Sequence, residues 1–299
     1  MQMGAHMKYV FAALLVCALP TGVRAQVPGT DLYRIRMRDG LLAQLSAPEN
    51  LTARSGYDNQ PGFLPDGSGL RYTSIDSSGQ ADIYFLDLTT GESLPLTRNL
   101  TSEYSPTPIP GSERFSVVRV EPDSTQRLWS FGADGSSPQL LLPDVPGIGY
   151  HVWGEESELL LFVLGEPHEL HRASLGEAGS ERIAVDIGRC LQRIPGEDAW
   201  SFVHHRADGG WTISRLDRVS GVITAIADTP AATVEDYCWT PGGKLWSSVG
   251  SSIVEWRPGD PGTWENVRNL AGDGISGITR MAVSPLGDAL VFVAADSVN

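Results

Sequence analysis

Charged, phenolic and imidazole side chains recur at one phase of this chain. Asp58 and Asn59, Glu103 and Tyr104, Tyr150 and His151, Arg189, Glu235 and Asp236, and Arg280 each lie two to five positions ahead of a spaced column, formed by Phe63, Pro108, Trp153, Arg193, Trp239 and Val283. Gln60 and Thr279 share the phase. If the column marks equivalent points of a repeated unit, these groups converge on one funnel. Carboxylates, guanidinium groups and phenols gathered there can orient a polar ligand through hydrogen bonds and ion pairs. A water-filled channel also needs polar lining, so shared phase defines a place before it defines an activity.

Other reactive-looking motifs carry less. His168-Glu169-Leu170-His171 sets two imidazoles three apart, and on a strand such residues point to opposite faces and cannot share an ion. Adjacent His204 and His205 fail in the same way. Asp66-Gly67-Ser68-Gly69 and Asp76-Ser77-Ser78-Gly79 lack the ligand spacing of a calcium loop and read as turns. Asn50-Leu51-Thr52 and Asn99-Leu100-Thr101 fit a glycosylation pattern, but turn chemistry accounts for both. The chain has no Gly-x-Ser-x-Gly elbow. No metal ligand set and no cofactor motif is expected.

The elements that position the funnel follow from the spacing. Successive members of the Phe63 column are 45, 45, 40, 46 and 44 residues apart. An independent aliphatic column, Ile83, Leu128, Leu170, Ile213 and Ile253, advances by 45, 42, 43 and 40. Each unit reads as an aromatic before a Pro/Gly turn, an alternating apolar run, a polar turn, a second alternating run and a Gly turn. Four short strands per repeat of about 44 residues is a propeller-blade pattern. The sixth aliphatic position is supplied from the other end, where Asp31-Leu32-Tyr33-Arg34-Ile35 matches Asp82-Ile83-Tyr84-Phe85-Leu86. The reading is an all-β, six-bladed β-propeller of four-stranded antiparallel blades. In its last blade, residues near 279–294 give the inner strands and residues near 31–46 close it from outside.

Composition agrees: 41% hydrophobic residues with 33 Gly and 20 Pro suit short strands and tight turns. A net charge of −14 disfavours nucleic acid and anionic membrane surfaces as partners. Lys8 before an apolar run from Tyr9 to Leu19, then Pro20 and Val23-Arg24-Ala25, reads as a signal peptide over residues 1–25. That run is too short to span a bilayer. The reading is therefore an exported protein, periplasmic or secreted, whose residues 26–299 form one propeller domain and act as a monomer. Cys190 and Cys238 fall on neighbouring inner strands and are expected to be free thiols.

Pro65-Asp66-Gly67, Asp82-Ile83-Tyr84 and Leu96-Thr97 in the first copy resemble the WD40-like (PD40) repeat of the TolB-family propeller. Pro110-Gly111 and Leu128-Trp129 in the second copy, and Trp239-Thr240-Pro241-Gly242-Gly243 in the fifth, keep parts of it. The resemblance covers residues 31–294 as a fold. TolB-type proteins carry an α/β domain ahead of the propeller, whereas here a few residues separate the leader from the first strand. It therefore implies a stand-alone relative, with no partner surface carried over residue by residue.

The function expected is a non-catalytic binding or scaffold module of the cell envelope, which recognises a protein or peptide on a loop-lined face. The alternative is a calcium-dependent propeller enzyme, a lactonase or sugar-acting lyase. Asp58, Asn59, Glu103, His151, Glu235 and Asp236 would then supply its ligands.

Overall fold

The computed structural model describes residues 29–42, 47–155, 157–258 and 262–295. The signal-peptide reading of residues 1–25 lies outside them. Among the described residues the chain is all-β, its helical element being a 3-10 turn at Ala271–Asp273. No helix among them is long and apolar enough to cross a membrane.

Four sheets are four-stranded, antiparallel and sequential. The first runs Ser102–Pro108, Phe115–Val120, Gln126–Phe131 and Gln139–Leu140. The others begin at Ile148–Trp153, Ile187–Arg193 and Tyr237–Trp239. A nine-stranded sheet holds both ends of the described chain. In it Thr279–Val283 pairs with Ala289–Ala295, which pairs with Thr30–Arg38. The neighbouring run Tyr57–Phe63, Gly69–Ile75, Ala81–Asp87 and Ser93–Pro95 joins through a single parallel pair, Thr30↔Tyr57. The first strands of these units adjoin one another in an unbroken cycle, with Thr279–Val283 returning to Tyr57–Phe63.

Thr30–Arg38 behaves as the sequence match to residues 82–86 predicts. It pairs antiparallel with Ala289–Ala295 from Thr30↔Ala295 to Arg36↔Ala289. It also repeats a side-chain device of Ala81–Asp87. Thr52 Oγ1 donates to Asp31 Oδ1 at 3.1 Å and accepts the Leu32 N–H at 3.1 Å. Thr97 Oγ1 donates to Asp82 Oδ1 at 3.2 Å and accepts the Ile83 N–H at 2.8 Å. The outer partner of Thr30–Arg38 extends past residue 46, to Glu49–Asn50.

The core lies between sheets. Second strands are covered on both faces, so Gly69–Ile75 is buried at every position and Leu159, Leu160, Leu161 and Phe162 form a continuous apolar run. Leu160, Phe162 and Leu170 of one sheet pack on Leu191, Trp200, Phe202 and Leu216 of the next. Tyr33, Ile35 and Phe292 pack on Cys238, Trp246 and Ile253 across the closing junction. Each large side chain so buried contributes roughly 1.5–3 kcal/mol. Cys190 and Cys238 are both free.

The polar loops are turns. Asp66 Oδ1 accepts the Ser68 N–H at 3.0 Å, and Asp76 Oδ1 accepts N–H groups of Ser78 and Gln80 at 2.8 and 3.0 Å. Asn50 and Asn99 close Asx turns onto Thr52 and Thr101.

Candidate binding site at the channel mouth

The innermost strands are irregular where the candidate residues lie. Their pairing slips between Asn59 and Gly62, Tyr104 and Thr107, Ile148 and Tyr150, Ile187 and Leu191, and Thr279 and Met281. Such bulges redirect side chains and free backbone groups. Gln60, Ser105 and Arg280 stand at one repeat phase and take positive φ of 58°, 55° and 28°, a strained region for residues with a Cβ. Pro61 and Pro106 follow the first two and cannot donate to a ladder, which gives a local cause for those slips. Gln60 reaches across, its Oε1 accepting the Ser105 N–H at 2.8 Å and the Thr73 hydroxyl at 2.7 Å. Asn59 is buried and caps the bulge, its Oδ1 accepting the Gln60 N–H at 2.8 Å.

The carboxylates that share this phase are not equivalent. Asp58 and Glu103, 45 positions apart, are fully buried. Asp58 Oδ1 accepts from Arg54 Nε at 3.1 Å, and Glu103 Oε1 accepts from Asn99 at 3.0 Å and Thr101 at 2.8 Å, with Arg119 at 3.3 Å. The partners Arg54 and Asn99 are themselves 45 apart, so one i,i+4 device is used twice. Burial raises the pKa of both acids against the lowering effect of their partners. Each carboxylate is held in the wall through one oxygen, while Asp58 Oδ2 and Glu103 Oε2 are buried without a hydrogen-bond partner.

His151 is also held in the wall. Its Nε2 lies 2.7 Å from Ser116 Oγ, which accepts from Trp153 Nε1 at 2.8 Å and lies 3.2 Å from the Thr107 carbonyl. The Ser116 hydroxyl proton has two acceptors in reach, the Thr107 carbonyl and Nε2, and Nδ1 is buried without a partner. Burial pushes this imidazole down to about 3, so it stays neutral.

The remaining groups come together. Arg189 donates from Nη2 to Asp236 Oδ2 at 3.0 Å, its backbone N–H donates to Glu235 Oε2 at 2.9 Å, and Nε lies 3.2 Å from Glu235 Oε1. Arg280 Nη2 donates to the Tyr150 hydroxyl at 2.8 Å, its guanidinium carbon 4.8 Å from the ring centroid. Burial alone would raise Asp236, but Arg189 and Arg280 hold its carboxyl below the usual range. Burial raises Tyr104, and it pushes Tyr57 up to about 12 against the nearby Arg280 and Arg189. Tyr57 falls one position outside the predicted window and was missed, although Tyr57, Tyr104 and Tyr150 recur at nearly the repeat spacing. The mouth thus brings three half-buried tyrosines opposite two arginines and two carboxylates.

Two cavities lie elsewhere, between turns at the other ends of the inner strands. One of about 520 Å³ is lined by Glu155, Arg193, Asp198 and Arg218 among others. Another of about 450 Å³ is bordered by Met37, Pro241, Lys244 and Leu286. Away from both, His171 bridges Ser180 and Glu169 at 2.8 Å each, while Arg182 also holds Glu169. Among the described residues no group of three or more His, Cys, Asp and Glu is placed to hold a metal ion.

No family model and no curated protein matches the chain. Solved structures do, at the level of fold. A putative TolB from Agrobacterium tumefaciens superposes with TM-score 0.70 at 13% identity, over 90% of this chain and 99% of that one. TolB from Acinetobacter baumannii gives 0.57 at 13% identity over 90% of this chain, which spans 64% of that structure's length. A Xanthomonas campestris protein, XC5397, described as a gluconolactonase, gives 0.62 at 13% identity, over 91% of this chain and 99% of that one. The fold is that of a TolB-like propeller.

Proposed function

We propose that this chain is an exported, non-catalytic binding module of the cell envelope, a single six-bladed propeller whose channel mouth receives a protein or peptide segment. The cyclic contact of the first strands supports the six-bladed reading, with the nine-stranded sheet counted as two blades joined at Thr30↔Tyr57.

The observation that carries the binding reading is the meeting of Tyr57, Tyr104 and Tyr150 with Arg189 and Arg280 at one mouth. Tyrosine and arginine are the side chains enriched at protein-binding hot spots, because each offers apolar area and directed hydrogen bonds together. The alternative enzyme reading would draw its metal ligands from Asp58, Asn59, Glu103, His151, Glu235 and Asp236; the first four are buried on partners in the wall, and Arg189 engages the last two. The structural neighbours include both TolB proteins and a gluconolactonase, so the fold favours neither class.

Capture from envelope extract on immobilised protein tests the reading. A partner retained by the wild type should be weakened by Tyr104→Phe, which removes the hydroxyl and keeps the ring packed on its core neighbours, at nearly unchanged melting temperature. Equal capture by the variant, or a melting temperature raised by added calcium, argues for the alternative.

A further inference from the structure

We propose that the open edge of the Arg280 guanidinium is a docking point for a carboxylate carried by a peptide, with Tyr57 and Tyr104 bordering an adjacent apolar or aromatic side chain. The proposal deepens the binding reading of the mouth and rests on it.

Arginine offers five N–H donors in a planar fork. Arg189 is already paired with carboxylates, its Nη2 on Asp236 and its Nε 3.2 Å from Glu235. Among the described residues Arg280 has no such ion pair. One Nη2 donor goes to the Tyr150 hydroxyl, no other side-chain hydrogen bond engages it among the described residues, and its remaining donors are not sealed from water. A half-buried guanidinium with unused donors in a channel is a binding group awaiting its partner.

Its position is held. The Tyr150 ring lies under the guanidinium and the hydroxyl accepts from one corner, so the opposite edge is presented in a fixed direction. The backbone at Arg280 is strained, with φ of 28° at a bulge, which aims the side chain into the channel instead of along a regular strand. A fork fixed in this way matches a planar carboxylate bidentately, and little side-chain entropy remains to be lost on binding. Asp236 lies close enough to lower the local positive charge, so the site discriminates by geometry more than by net charge. The tyrosines at its border favour a carboxylate flanked by apolar surface over a free inorganic anion.

Such a carboxylate comes either from a chain terminus or from an acidic side chain. Small probes separate the two: N-acetyl-phenylalanine carries a terminal carboxylate, the α-amide of N-acetyl-aspartate carries a side-chain one, and N-acetyl-phenylalanine amide carries none. Titration followed by NMR of the tyrosine rings should show affinity on the order of millimolar for at least one acid, and about tenfold weaker or no binding for the amide. Arg280→Lys keeps the charge and loses the fork, and should weaken the preferred acid by a similar factor. Arg280→Met should abolish binding; if it melts low, the lysine variant still decides. Equal binding of acid and amide, equal binding by Arg280→Lys, or no binding of either acid overturns the proposal. Failure of both acids alongside Tyr104-dependent capture from extract would sink this inference alone. Arg280-dependent acid binding with no captured protein would sink the peptide reading instead.

Discussion

Arg280 and Tyr150 are 130 positions apart in sequence, and their side chains meet, Nη2 to hydroxyl, at 2.8 Å. Their strands, Thr279–Val283 and Ile148–Trp153, start different sheets and are not neighbours in the cycle of first strands. The contact therefore bridges the mouth from side to side.

A single hydrogen bond between half-buried side chains should matter little to folding. Tyr150→Phe removes the acceptor and keeps the ring, so its cost should stay near 1 kcal/mol. Denaturant unfolding measures it. A loss above about 3 kcal/mol would make the bridge structural.

Glu103 and Asp58 should respond in the opposite way. Glu103→Ala leaves Arg119 facing a cavity, and Asp58→Ala strands Arg54. Removing one partner of a buried pair typically costs about 3–5 kcal/mol. Glu103→Ala should approach that range. Asp58→Ala should cost less, because the Arg54 side chain is 36% exposed and can be solvated. Melting of both variants checks this, and near-neutral results would return the two acids to the list of ligand-binding residues.

Stability should depend on pH through His151. Its folded-state pKa is about 3 against 6.5 for the free imidazole, because burial disfavours the charged form. Above 6.5 neither state is protonated and stability is complete. As pH falls from 6.5 toward 3 only the unfolded chain takes up the proton, and about 1.4 kcal/mol is lost per unit. Asp58 and Glu103, raised by burial, act with the opposite sign: their contribution is full at low pH and lost as pH rises through their folded values. The difference between wild type and His151→Phe isolates the histidine. Parallel pH profiles for the two proteins would refute its burial as a neutral base.

Closure gives a fourth prediction. Deleting residues 26–46 uncovers Ala289–Ala295 and removes Leu32, Tyr33, Ile35 and Met37 from the core. The protein should lose its cooperative transition, not merely a tail. An unchanged melting temperature would show that Thr30–Arg38 is dispensable.

The repeat was legible because strand spacing is written in apolar columns: Phe63 and Ile83, with their equivalents, locate strands without any knowledge of contacts. The match of Asp31-Leu32-Tyr33 to Asp82-Ile83-Tyr84 even carried the threonine device with it. Legibility stopped at the bulges. One extra residue in an inner strand turns neighbouring side chains to different faces. Shared phase therefore placed Glu103 and Tyr104 together, while the structure buries one in the wall and leaves the other beside the channel. His151 likewise follows a bulge and is buried. Its partner Ser116 belongs to the preceding sheet, and nothing in the local sequence announces that contact.

The pairing of Thr30–Arg38 with Ala289–Ala295 also orders events in time. A ribosome makes the first strand about 250 residues before its partner exists. Until then that strand has an open edge and no core, and closing so long a loop late makes assembly slow compared with folding dominated by local contacts. The intermediate sheets can form as they emerge, but the ring waits for its last strands. During that wait the unpaired edges stay open to other chains, and assembly competes with aggregation.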